Sequence, residues 1–163
     1  MNNEPVINYS EEEIKQIANG IAGGLTIAQA TNTDPQTLEA LYSLAYKCYT
    51  VEDYASAETI FQALCLYRHD EEKYWMGLAG CRQALEKYQQ AIDAYSMAGL
   101  ATQLKNPLPF FYASQCFLKM GNKEGAIGSL QSLLTMGDDT NNEHRLCKEK
   151  AREILKLLEE NNN

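Results

Sequence analysis

The chain has 163 residues, 45% of them apolar and 22% charged, which is one domain's worth and enough to bury roughly 70% of its unfolded surface. A net charge of −8 with a pI near 4.8 argues against nucleic acid or an anionic membrane as partner, because phosphate binding needs clustered Lys and Arg. No apolar run approaches the roughly 20 residues of a membrane span, and Met1 to Tyr9 lacks the basic and apolar regions of a secretory leader, so a cytoplasmic location is expected.

Ser10 followed by Glu11, Glu12 and Glu13 predicts a capping box and a helix starting near Glu11. Its apolar residues Ile14, Ile17, Ile21 and Leu25 keep helical spacing, while Gly20, Gly23 and Gly24 predict a break or bend in its second half. This N-terminal helix, within residues 10–30, carries a stripe that can pair with its copy in a homodimer. Thr33-Asp34-Pro35 then forms a turn, with Pro35 suited to the first position of the next helix.

From Leu38 onward three segments repeat at a spacing of 34 to 35 residues. Leu41, Ser43, Leu44 and Ala45 align with Trp75, Gly77, Leu78 and Ala79 and with Phe110, Tyr112, Ala113 and Ser114; twelve residues later Ala57, Ala91 and Ala126 coincide, followed by Phe61, Tyr95 and Leu130. Small residues at fixed places let two helices cross closely, and a period of this length is the signature of a helix-turn-helix solenoid. The expected fold is all-α, a single tetratricopeptide repeat domain over residues 1–163, with repeats at 38–71, 72–105 and 107–140. In the first, helix A runs to Tyr49, a turn occupies Val51-Glu52-Asp53, and helix B spans about Tyr54 to Tyr67. Leu41, Leu44, Trp75, Leu78 and Phe110 are expected to pack between repeats. Gly125 and Gly128 make the third unit the least stable by intrinsic propensity.

A polar stretch from Asp138 to Asn142 leads into a charged C-terminal helix, within 141–160, with Cys147, Ala151, Ile154, Leu155 and Leu158 on one face. Such a helix caps a solenoid and keeps it soluble. The final Asn161 to Asn163 should fray.

Groups able to do chemistry are scarce. His69 and His144 lie in or near inter-helix turns, outside any nucleophile or metal-ligand pattern, and His144 with Cys147 offers only two ligands. The five cysteines (Cys48, Cys65, Cys81, Cys116, Cys147) are odd in number, never arranged as CxxC and embedded in apolar helical patterns, so they read as reduced core residues. The Asn8-Tyr9-Ser10 sequon carries no meaning without a secretory route. No enzyme, metal or cofactor signal stands.

The concave face is more informative. Residues at positions 2, 5, 9 and 12 of helix A point into it, which gives Tyr42, Tyr46 and Tyr49 in the first repeat, Met76, Gly80 and Gln83 in the second, and Leu108, Phe111, Gln115 and Leu118 in the third. His69 is placed at the rim. Tyrosines at i, i+4 and i+7 share one helical face, and rigid amphipathic rings anchor peptides well. Such a stripe either takes a partner peptide or is covered by the N-terminal helix or a homodimer contact. A carboxylate clamp for acidic C-terminal tails would need Lys, Asn and Arg at positions that hold Tyr42, Tyr46, Gly77, Leu108 and Tyr112. A generic tetratricopeptide adaptor or co-chaperone is the alternative reading.

Gly23-Gly24-Leu25-Thr26, Leu41-Tyr42 through Tyr49, Phe61-Gln62-Ala63-Leu64-Cys65-Leu66-Tyr67 and the run from Tyr74 to Gln83 occur in an order that resembles the class II chaperones of bacterial type III secretion, over about Ile14 to Leu158. The resemblance implies a non-catalytic cytoplasmic chaperone of hydrophobic, pore-forming translocator proteins. It also implies that the groove holds an extended client segment of the Pro-x-Leu-x-x-Pro type. The chain departs from many relatives at Arg68-His69-Asp70, where a more aromatic turn is usual.

Overall fold

The computed structural model describes residues 9–160. Among these residues the regular structure is entirely helical: α1 (Glu11–Ala22), α2 (Ile27–Ala30), α3 (Pro35–Thr50), α4 (Tyr54–Tyr67), α5 (Glu72–Ala84), α6 (Tyr88–Ala101), α7 (Leu108–Lys119), α8 (Lys123–Leu134) and α9 (Asn142–Glu160). The N-terminal residues up to Asn8, including the sequon asparagine, and the expected fraying of Asn161 to Asn163 lie outside the described residues.

α1 begins on the expected capping box, with the Ser10 N–H donating to the Glu13 carboxylate at 2.8 Å and the Glu13 N–H donating to Ser10 Oγ. It ends at Ala22, where Gly23 caps it and Gly24 takes a φ of +97°. A one-turn α2 that sequence periodicity did not reveal follows, held by a second capping box between Thr26 and Gln29. Four residues are too few to show a period. α1 buries none of its residues.

From α3 to α9 each helix packs on the next in chain order, so α3/α4, α5/α6 and α7/α8 form three antiparallel hairpins and α9 closes the array on α8 and α7. The period extends into the turns. Glu52, Glu86 and Gly121 occupy the same place in the three hairpins with φ of 64°, 59° and 72°, and only the third uses the residue that adopts this conformation without steric cost. Asp53 and Asn122 then cap α4 and α8 through their side chains.

Helix crossings depend on missing side chains. A Cβ on Gly77 would lie 2.3 Å from the Phe61 ring, and one on Gly99 2.6 Å from Phe110. Gly125, which intrinsic propensity marks as a weakness, makes room for Phe117 in the same way, whereas Gly128 faces open space. Ala45, Ala57, Leu64, Leu78, Ala79, Ala91 and Cys116 bury completely or nearly so in the first core, and Leu130, Leu133, Cys147, Ala151 and Leu155 form a second beneath α9.

Leu44 does not pack between repeats: it is 49% exposed, although Leu78, its counterpart one period on, is buried. α5 lies against a preceding hairpin helix, α4, while α3 opens the array and packs chiefly on α4 and α5. Lys148 of the charged helix α9 is buried, outside the apolar face expected from the sequence, and its Nζ reaches Asp139 at 2.6 Å. The five cysteines are free, and burial pushes the Cys65 and Cys81 thiols up to about 12 and those of Cys116 and Cys147 to about 11. Thiols held neutral in this way are poor nucleophiles.

Candidate peptide-binding groove

Helices α3 and α5 run side by side as the first two A helices, and their inward stripes meet in an open cavity of about 410 Å³. Tyr42, Tyr46, Tyr49, Met76 and Gly80 line it. The spacing that puts three tyrosines on one face of α3 also sets them into contact: Tyr42 and Tyr46 stack with centroids 6.5 Å apart. Tyr42 meets the edge of Phe61 at 6.0 Å, and Tyr49 meets Tyr54 at 5.2 Å. Tyr46 is 57% exposed, so most of its ring stands outside the core. Gly80 leaves the space into which Tyr49 leans, with the tyrosine oxygen 3.4 Å from where a Cβ would stand.

Five residues that the inward positions do not include complete the wall: Phe61, Glu72, Lys73, Gly77 and Asn106. Extending the α5 stripe one turn back from Met76 and Gly77 leads to Glu72 and Lys73, but Phe61 comes from a B helix and no A-helix count reaches it. Lys73 Nζ lies 4.4 Å from the centre of the Tyr42 ring and 2.9 Å from Glu39. Its pKa is raised, first by the hydrogen bond to Glu39. Asn106 donates to Glu72 and accepts the Leu108 N–H at 3.0 Å, tying the start of α7 to α5. An ammonium group and a carboxylate thus border an aromatic floor.

The third repeat's residues divide. Leu108 and Phe111 line a second cavity, of about 740 Å³, between α7 and α9. Gln83 accepts a hydrogen bond from the Tyr95 hydroxyl at 2.7 Å, and burial raises the pKa of that hydroxyl. Gln83, Gln115 and Leu118 line neither cavity. His69 is exposed in the α4–α5 turn, where its carbonyl accepts the Trp75 indole N–H at 2.8 Å, and it also lies outside both. The departing turn is held by Arg68, paired with Asp70 at 2.8 Å and Glu71 at 2.7 Å. Ile14, Ile21 and Leu25 of the N-terminal stripe are exposed, and Ile17 is half-buried. No cluster of three metal-ligating side chains occurs among the described residues, and none of their helices is long and apolar enough to cross a membrane.

Comparison with known proteins gives this geometry a context. The tetratricopeptide repeat family profile matches residues 38–71 and 73–98. Low calcium response locus protein H of Yersinia pestis is 34% identical over 139 residues, spanning 85% of this chain and 80% of its own length. The Yersinia enterocolitica type III secretion translocator chaperone SycD aligns at a TM-score of 0.73 and 32% identity, over 83% of this chain and 99% of its own. The chain belongs to the translocator chaperone family of type III secretion. Chaperone protein SicA of Salmonella dublin, another relative, is 35% identical over 115 residues, covering 69% of this chain and 68% of its own. The family's solved structures superpose well. A type III secretion complex from Aeromonas hydrophila aligns at a TM-score of 0.80 and 32% identity over 90% of this chain and 96% of its own. The Yersinia enterocolitica translocator chaperone SycD bound to a peptide of the translocator YopD aligns at 0.72 and 30% identity, over 80% of this chain and 98% of its own.

Proposed function

We propose that this chain is a chaperone of type III secretion translocator proteins, holding an extended apolar segment near the client's N-terminus along the concave face of repeats 38–71, 72–105 and 107–140. The observation that carries the reading is the open aromatic cavity between α3 and α5, where Tyr46 and Tyr49 are exposed and Tyr42 is half-buried against the core. Family relatives have been solved with translocator peptides bound, and the cavity has the chemistry to take one. Apolar side chains entering it each contribute roughly 1.5–3 kcal/mol, and prolines in the client reduce the cost of ordering an extended backbone.

The action is one of masking. A bound client segment neither aggregates nor associates early, in the cytoplasm and before export, without covalent chemistry or a cofactor. Phe61, Met76 and Gly77 form the floor, while Lys73, Glu72 and Asn106 offer a charged and hydrogen-bonding edge to the client main chain. A fluorescein-labelled Pro-x-Leu-x-x-Pro peptide titrated into the protein tests this. Tyr46→Ala is expected to weaken binding about tenfold, the loss of roughly 1.4 kcal/mol, with the thermal melt unchanged because the ring lies outside the core. Equal affinity for both proteins removes the cavity from the account.

A further inference from the structure

α9 has two working faces. Cys147, Lys148, Ala151 and Leu155 turn toward the second core, but Glu143, Leu146, Cys147 and Lys150, at i, i+3, i+4 and i+7, line the 740 Å³ cavity opposite α7. Leu146 is 46% exposed there, facing Leu108, Phe111 and Tyr112 across the opening. A helix that served only as a cap would present polar groups on that side. α9 does present Asn142, Glu143 and Lys150 there, but around an apolar floor that includes its Leu146, much as Glu72, Lys73 and Asn106 border the aromatic floor of the first cavity.

The two cavities have neighbouring walls. Asn106 stands in the wall of the first and accepts the N–H of Leu108, which lines the second. Both lie along the row of A helices. With neighbouring axes 8–10 Å apart, their centres are on the order of 20 Å from each other. An extended chain covers that distance in about six residues. A symmetric contact between two copies requires a patch that complements itself, and a concave trough cannot fill its own image.

Resting on the client-binding reading above, we propose that the α7–α9 cavity is a second anchor site for the same extended client, taking one large apolar side chain about six residues from the segment held between α3 and α5. α9 is then part of the binding surface, and Leu146 and Phe111 set the specificity of its pocket.

Three labelled synthetic peptides test the proposal: a Pro-x-Leu-x-x-Pro core alone, and the same core with a phenylalanine six residues before it or six residues after it in a Gly/Ser spacer. Each is titrated against the wild-type chain and against Leu146→Asp and Leu146→Ala, with far-UV melts and sedimentation velocity on all three proteins. One extended peptide is expected to bind the wild type about tenfold tighter than the core, and the gain to vanish in both variants while affinity for the core stays constant. Core binding without gain from either extension overturns the second site and leaves the first standing. A gain that persists in Leu146→Asp also overturns it. Failure of the core to bind the wild type overturns the groove reading and this one with it. A change in the sedimentation of the free Leu146→Asp protein reassigns the surface to contacts between copies and overturns the client role.

Discussion

Gly77 and Gly128 show how the same residue type carries opposite meanings inside this array. Gly77 lies where α5 crosses α4, and a methyl group there would meet the Phe61 ring, which is itself buried and borders the groove. Gly77→Ala is therefore expected to destabilise the protein by about 1–3 kcal/mol, the cost of overpacking a close crossing. Nothing lies within 4 Å of a Cβ on Gly128, which sits in the interior of α8. Gly128→Ala should accordingly stabilise by about 0.5–1 kcal/mol through helix propensity alone. Urea midpoints of the two variants check both signs; a stabilised Gly77→Ala would mean that the Phe61 ring can move away. Composition ranks the two glycines equally, and only the packing partner separates them.

Helices α4, α5 and α6 are joined by one ionic cluster that the repeat pattern does not disclose. The half-buried Glu58 of α4 receives Arg82 of α5 at 3.3 Å and Lys87, the residue just before α6, at 2.6 Å, while Arg82 also donates to the Gln90 carbonyl. Burial pushes the Glu58 carboxyl up, but the hydrogen bonds from Lys87 and Arg82 outweigh it and hold its pKa below the ordinary value. A carboxylate lowered in the folded state contributes stability that is present above its unfolded pKa, near 4.3, and is lost as pH falls through the folded value. Glu58→Gln should thus cost about 1–2 kcal/mol at pH 7, with the gap to wild type closing below about pH 4. Thermal melts across that range decide it, and a gap independent of pH would assign the loss to packing. These partners are 24 and 29 residues apart, neither a helical spacing nor the 34-residue period, so no sequence rule pairs them.

At the scale of the whole molecule, α1 is the element least tied to the rest. It packs on α2, and Ile14 is 54% exposed at the head of its apolar stripe. A face of this kind needs a partner, and a structure of SycD has been described as an alternative dimer. We expect the wild-type chain to self-associate through α1 and the double variant Ile14→Asp, Ile21→Asp to sediment as a monomer. A wild type that is monomeric at every concentration ends that idea. The helical class, the hairpin period, the N-terminal capping box and the shared face of Tyr42, Tyr46 and Tyr49 on α3 were all legible from residue order, because they follow from spacing along one helix or from one repeat to the next. Tertiary structure alone decided the rest. Phe61 enters the groove wall from a B helix, Leu44 is left exposed at the start of the array, Lys148 is buried against Asp139, and α9 turns Leu146 toward α7. Each of these depends on which helices lie next to one another, and periodicity records a helix's own faces without recording what stands opposite them.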